Sequence, residues 1–277
     1  MDMEGIRTLL GRNEVYLFVA MIVAFLYGLI LAFYISKVML KSRSDQYMKE
    51  RMKQFTGLTS HYLLTPISII QTAITRLEDG ESTMDQLERL RMYEAIKRGQ
   101  QRLWIMAEQL LLVNEIDDGN MQIKYSVSDL SNTLSDSIAA VDCFARPKRI
   151  KILYEDNLGQ VRETRYDPRR LQQAIIALLD NSIKFSQEDS TIRMGVWLQD
   201  EIITISITDS GIGMNKEIQQ HLGERFYRGS QLYNFDYEGL GLGLHIAYAI
   251  IRLHQGHISF VTRPGKGTTT IVEFPAI

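Results

Sequence analysis

Asp209-Ser210-Gly211-Ile212-Gly213 and, about a strand and a helix later, Gly239-Leu240-Gly241-Leu242-Gly243 are the stretches whose reading decides the fold. Immediately ahead of the first, Ile203, Ile205 and Ile207 alternate with Thr204, Ser206 and Thr208, the period of a half-buried strand that delivers Asp209 to its end. The second runs straight into Leu244, Ala247 and Ile251, a helical spacing that predicts a helix from Gly243 to His254, stopped at Gly256. A glycine-rich entry to a helix presents free amides and a positive dipole end to phosphates. The G-x-G-x-G spacing is not a dinucleotide fingerprint, and no Gly-Lys-Ser/Thr follows to make a P-loop. Plainer readings stand beside these: D-S-G-x-G is commonly an ordinary turn, and spaced glycines are commonly a linker.

Upstream, Asp167-Pro168 has the form of an N-cap and first-turn proline, after which Leu171, Ile175 and Leu178 bury one face of a helix through Lys184. Asn181 and Lys184 stand three apart on it, so a neutral amide oxygen suited to Mg²⁺ and an ammonium suited to phosphate share one side. Taken alone, the pair reads as ordinary solvated surface. Further strands are expected at 191–198, 257–262 and 268–274, giving a mixed sheet covered by helices on one face. Gly265 to Thr269 reads as a hairpin turn, which needs no function.

From Ser44 the texture is helical. Leu63, Ile67, Ile70, Ile74 and Leu77 repeat at four and three, the seam of a helix with one buried side. His61, Thr65, Ser68 and Thr72 form a second series about 200° away, facing solvent, where an imidazole can meet a partner. Pro66 removes an amide hydrogen and loosens the helix just beyond His61. Ser82 is a plausible N-cap for a second helix that runs to about Ile116, with Leu103, Met106, Leu110 and Val113 on one side. Asp117-Asp118-Gly119-Asn120 ends it and opens a region of different texture. A lone helical hairpin leaves its seam half covered, so two are expected to pair as a homodimeric four-helix bundle.

Val15 to Ser36 is apolar and uncharged, long enough at ~1.5 Å per residue to cross a hydrocarbon layer of roughly 30 Å. Lys37, Lys41, Arg43, Lys49, Arg51 and Lys53 follow it, while only Arg7 and Arg12 precede it. The positive-inside rule then predicts a single-pass protein in the plasma (inner) membrane, N-terminus outside and the bulk cytoplasmic. About a dozen residues precede this span, too few to enclose a ligand. Lysines then replace the small-residue cleavage site of a signal peptide. One span without intramembrane charge does not line a transport pathway. The net charge of −2 argues against a dedicated nucleic-acid binder, and the single cysteine, Cys143, allows no intramolecular disulfide.

The order of asparagine helix, Asp-x-Gly-x-Gly turn and glycine-rich loop resembles the ATP-binding domain of sensor histidine kinases. Ser60-His61-Tyr62-Leu63-Leu64-Thr65-Pro66 resembles their phospho-acceptor box, and the resemblance covers nearly everything after residue 45. Together with the apolar segment read above, it gives the expectation of an α+β chain: extracytoplasmic residues 1–14, a transmembrane helix 15–36, a juxtamembrane linker 37–50, a dimeric antiparallel helical hairpin 51–118, and an α/β sandwich ATP-binding domain 121–277. It implies autophosphorylation of His61 by ATP and Mg²⁺, then phosphoryl transfer to an aspartate in the receiver domain of a response regulator. Asn181 holds the metal in that scheme, Lys184 meets phosphate and Phe185 joins the nucleotide site. Asp209 accepts from the adenine amino group, with Gly211 and Gly213 giving the base room. Phe226-Tyr227-Arg228-Gly229 resembles the aromatic box before a lid at 230–238, where Arg228 reaches the γ-phosphate, and Gly239, Gly241 and Gly243 bind phosphates. Thr65 orients water for dephosphorylating the regulator.

Three positions depart from the family pattern. Tyr62 replaces the acid that usually follows the histidine, Leu64 replaces an arginine, and Ala177 replaces an asparagine four residues before Asn181. A phenol with pKa near 10 is a poor base at neutral pH. The alternative reading is therefore a membrane-tethered nucleotide-binding regulator, or a regulator phosphatase working through Thr65, with little autokinase activity. His221, His245, His254 and His257 show no ligand spacing and read as structural or surface residues.

Overall fold

The computed structural model describes residues 63–79, 84–159, 163–225, 227 and 240–276. The apolar segment 15–36, the linker, His61, Tyr62, Arg228 and Gly239 lie outside these residues. Among the described residues no helix is long and apolar enough to cross a membrane. What is described is an α+β chain: a helical hairpin followed by an α/β domain.

The hairpin comprises α1 over residues 63–79 and α2 over Gln86–Asp117. Asp85, rather than Ser82, caps α2: its carboxylate accepts from the Glu88 amide at 2.7 Å, and Asp85-Gln86-Leu87-Glu88 has the residue pattern of a capping box. The buried row of α1 is also displaced from the expected one. Pro66 and Ala73 are buried and Ile70 half-buried, whereas Ile67 and Ile74 remain 37% and 41% exposed. Gly99 is the physical reason, because a Cβ there would stand 2.6 Å from Ile70 Cγ1 and 3.0 Å from the Pro66 carbonyl oxygen. Its missing side chain lets α1 lay the Pro66, Ile70, Ala73 row directly on α2.

Toward its C-terminus α2 changes partner. Ile105, Met106, Leu112 and Val113 are buried in the same apolar core as the α/β domain, and α2 packs on α3 (Leu130–Ala145) and α6 (Gly243–Leu253). The expected stripe of Leu103, Met106, Leu110 and Val113 is therefore widened, with Leu103 and Leu110 only half-buried. A helix that serves two partners has no single apolar face.

The α/β domain is built on a five-stranded sheet in the order β2-β4-β5-β7-β6. These strands are β2 (Lys151–Asn157), β4 (Thr191–Gln199), β5 (Ile202–Asp209), β6 (His257–Thr262) and β7 (Thr268–Pro275). The pair β2–β4 is parallel and the remaining pairs are antiparallel. Strands β1 (Ser126–Asp129) and β3 (Glu163–Tyr166) form a separate two-stranded antiparallel sheet. Ile203, Ile205 and Ile207 of β5, with Met194 and Val196 of β4, bury one face under α3, α4 (Pro168–Phe185) and α6. A short helix, α5 (Lys216–Gln220), follows the Asp209 turn.

Asp167 caps α4 by accepting from the Arg170 amide at 3.0 Å. The buried His254 ties the end of α6 to this cap, with Nδ1 donating to the Ile250 carbonyl at 2.9 Å and Nε2 accepting from the Asp167 amide at 3.1 Å. Both ring nitrogens are used and the ring is neutral, as a structural histidine requires.

Candidate nucleotide site

Strand β5 ends on Asp209, and the turn after it is fixed by close backbone approaches together with side-chain oxygens of Asp209 and Thr262. The Phe185 carbonyl at the end of α4 accepts from the Ile212 amide at 3.3 Å, and a Cβ on Gly211 would stand 2.4 Å from that oxygen. Gly213 adopts φ +63° with the space for a Cβ filled by the Arg263 carbonyl oxygen at 2.0 Å, so only glycine fits there. The buried Asp209 carboxylate is gripped through Oδ1, which accepts from the Gly211 amide at 2.8 Å and the Thr268 amide at 3.1 Å. Burial pushes its pKa up, and the two amides together with the Ser182 hydroxyl pull it partly back.

A cavity of about 180 Å³ opens over this floor. Asn181, Lys184, Phe185, Asp209, Gly213, Gly241 and Gly243 line it, so residues from α4, the β5 turn and the entry to α6 come together. Tyr227 lines it too. Gly211 is buried in the turn beneath. Gly241 has φ +70°, and Leu242, the N-cap of α6, makes no side-chain capping bond, so among the described residues no side-chain cap competes with an anion for the first amides of α6. The lining is largely apolar with a few converging polar groups, as small-molecule sites are. Thr65 sits half-buried on α1 and is not part of the lining.

Asp180 and Gln109 line this site and Lys148 supports it from outside the lining, none of the three singled out from the sequence, while Thr268, read there as part of a glycine turn, lines it too. Asp180 is fully buried, with Oδ1 on the Arg102 guanidinium at 2.8 Å and Oδ2 on the Lys184 ammonium. Burial raises its pKa, but Lys184 and Arg102 more than reverse this and hold it down at about 2. Lys148 donates to the Ile183 and Lys184 carbonyls at 2.9 Å each, capping α4 just where it enters the pocket. Lys184 is four residues from Asp180, but Arg102 is 78 residues from it and Lys148 is 35 and 36 from its carbonyl partners, beyond any local pattern.

Among the described residues no cluster of His, Cys, Asp and Glu could hold a metal by itself. Asn181 offers one neutral oxygen. That is a fit for a Mg²⁺ ion carried in on phosphate oxygens and water, and not for a resident ion in a protein cage.

Residues 166–277 match the family model described as histidine kinase-, DNA gyrase B-, and HSP90-like ATPase, and the C-terminal domain is of that class. Relatives extend the likeness into the hairpin. Circadian input-output histidine kinase CikA of Synechococcus elongatus is 27% identical over 226 residues, covering 80% of this chain and 30% of its own. Sensor protein KdpD of Clostridium acetobutylicum is 28% identical over 234 residues, covering 84% and 26%. The solved histidine kinase ThkA in complex with response regulator protein TrrA shares the fold at a TM-score of 0.51 and 22% identity, covering 83% of this chain and 64% of that one. The ATPase domain and the relatives make the chain similar to sensor histidine kinases, and it spans about a third or less of the curated relatives named here.

Proposed function

We propose that the protein is an ATP-dependent sensor histidine kinase that autophosphorylates His61 and passes the phosphoryl group to an aspartate in the receiver domain of a response regulator. The observation that carries the reading is the Asp209 carboxylate, oriented by two backbone amides at the floor of a cavity whose other end is the uncapped start of α6. Such a carboxylate accepts from an adenine amino group, and the α6 amides receive phosphates, with Gly239, Arg228 and the lid contributing from outside the described residues. Asn181 supplies the protein's oxygen to the Mg²⁺ that accompanies the nucleotide. In the transfer, an imidazole nitrogen of His61 forms a bond to the γ-phosphorus while the bond to the bridging oxygen breaks and ADP leaves. The ring proton passes to water, Tyr62 being a weak base.

The hairpin works as a homodimer in this reading. Ile67 and Ile74 of α1 and Leu90, Trp104 and Leu111 of α2 are exposed in one chain, an apolar surface that a second hairpin would cover. Residues 15–36 anchor the dimer in the plasma membrane with the N-terminus outside, residues 37–50 link the span to the hairpin of 51–118, and 121–277 form the catalytic domain. The complex of ThkA with its regulator supports a receiver-domain partner.

The test is incubation of the full chain with γ-labelled ATP and Mg²⁺ beside His61→Gln, Asn181→Ala and Tyr62→Glu variants. Acid-labile label on the parent, absent from the first two variants, is expected, with faster labelling in Tyr62→Glu. Nucleotide binding without label would instead favour a regulator phosphatase acting through Thr65, the reading that Tyr62 and Leu64 support.

A further inference from the structure

Helix α2 belongs to the hairpin, yet it reaches the nucleotide cavity directly through Gln109 and, by way of Asp180, through Arg102. Gln109 lines the cavity, its Nε2 placed 3.5 Å from where a Cβ on Gly243 would be. Two turns earlier Arg102 is buried, lies over the Phe144 ring at 4.0 Å and donates to Asp180 Oδ1 at 2.8 Å. The other oxygen of Asp180 holds Lys184, a lining residue of the cavity. One buried carboxylate is thus shared by two cations, one brought by the hairpin and one belonging to the pocket.

That sharing decides what Lys184 is free to do. As its ammonium turns toward a phosphate its hold on Asp180 Oδ2 loosens, and a buried carboxylate left without a counter-ion is strongly unfavourable. With Arg102 in place the carboxylate keeps a planar, permanently charged partner when Lys184 turns away. Without Arg102, Lys184 is the remaining direct ion-pair partner of this buried anion among the described residues, Lys148 acting on it only at longer range, and is held back from the ligand.

We propose that Arg102 is a positioning residue for nucleotide phosphates: docking of α2 lets Arg102 take over Asp180, so that Lys184 can move to the phosphate chain of ATP. The inference rests on the nucleotide-site reading given above. By reciprocity, ATP then favours the docked arrangement of hairpin and catalytic domain to the same degree that docking favours ATP.

The experiment measures dissociation constants of the full chain for ATP and for adenosine, which lacks phosphates. Arg102→Gln is expected to weaken ATP on the order of tenfold, the scale of one charge-assisted contact, while leaving adenosine within about twofold. Adding Asp180→Asn to Arg102→Gln should restore ATP affinity, because residue 180 then carries no charge for Lys184 to neutralise. In a Lys184→Met background, Arg102→Gln should change ATP binding little. Equal losses for ATP and adenosine, or a double variant as weak as the single one, would overturn the proposal. A parent chain that binds neither ligand would overturn the nucleotide-site reading itself, and this inference with it.

Discussion

The Asp209 carboxylate and the Thr268 amide, 59 residues apart, are joined by a 3.1 Å hydrogen bond where the ends of β5 and β7 meet. The bond leaves Oδ1 occupied by backbone donors and fixes the orientation of the carboxyl plane, a fixed acceptor at the bottom of the cavity. Keeping that group charged in a buried place has a cost, since its pKa is raised. Asp209→Asn should therefore leave thermal stability at pH 7 unchanged or higher while weakening adenosine by roughly 10- to 100-fold. In the parent, adenosine affinity should decline as pH falls through the raised pKa, because the protonated form is a poorer acceptor. Isothermal titration between pH 7 and 4.5 on both proteins checks this, and a parent without that decline would contradict the assignment.

Gly267 lies in the turn that delivers Thr268, with φ +80° and a virtual Cβ 2.0 Å from the Asp209 carbonyl oxygen. Alanine there must both adopt a disfavoured conformation and displace the backbone of the pocket floor. Gly267→Ala should cost roughly 1–3 kcal/mol in denaturant unfolding and should impair nucleotide binding as well. Gly265→Ala, at φ +71° with nothing within 4 Å, should cost stability without comparable loss of binding.

His254 predicts how stability responds to acid. Its Nε2 must stay unprotonated to accept from the Asp167 amide, and burial lowers its pKa below the ordinary histidine value. In this range the unfolded chain binds the proton that the folded one refuses, so this contribution to stability falls as pH drops through the ordinary histidine range near 6.5 and below. Melting temperature should decline from pH 7.5 to 5.5, and His254→Gln should flatten that slope while lowering the plateau.

The docking of α2 on the catalytic domain carries a ring of ion pairs, Glu115 with Arg170 at 2.5 Å, Glu108 with Arg169 at 3.4 Å, and Asp117 with Arg225. All three place the carboxylate on α2 and the guanidinium on the domain. These are partly exposed pairs, each worth at most about 1 kcal/mol. Glu115→Arg should raise proteolytic cleavage near Gly119, and Arg170→Glu added to it should bring protection back. High salt should mimic the single variant.

Ile74 and Leu90 lie on the exposed apolar surface of the hairpin. The double variant Ile74→Glu, Leu90→Glu should scatter light as one chain where the parent scatters as two. A parent that is already monomeric at micromolar concentration would remove the homodimer from the functional account.

How much of this was legible beforehand depended on how local each feature is. The isoleucine alternation of β5 gives Asp209 its place because strand period is written in adjacent residues, and the helix from Asp167 to Phe185 is announced by its own cap. The region from Met121 to Tyr166 was not resolved into elements. Its β2 is an edge strand with only half-buried Ile152 and Tyr154, too little apolar contrast to stand out. The seam of α1 keeps Leu63, Ile70 and Leu77 of the expected row but has Pro66 and Ala73 in place of Ile67 and Ile74, because Gly99, on another helix, decides which side faces in. Arg102 with Asp180, and Lys148 with the end of α4, are charged residues whose partners lie far off in the chain, and charge alone does not name a partner.

Strand β7 lies between β5 and β6 in the sheet although it follows both in sequence. During synthesis, a chain that has made β6 but not β7 therefore carries a gap in its sheet, with an open edge on either side and no Thr268 to orient Asp209. Nucleotide cannot select the nascent domain early; the insertion of one late strand closes the sheet and the binding floor in a single step.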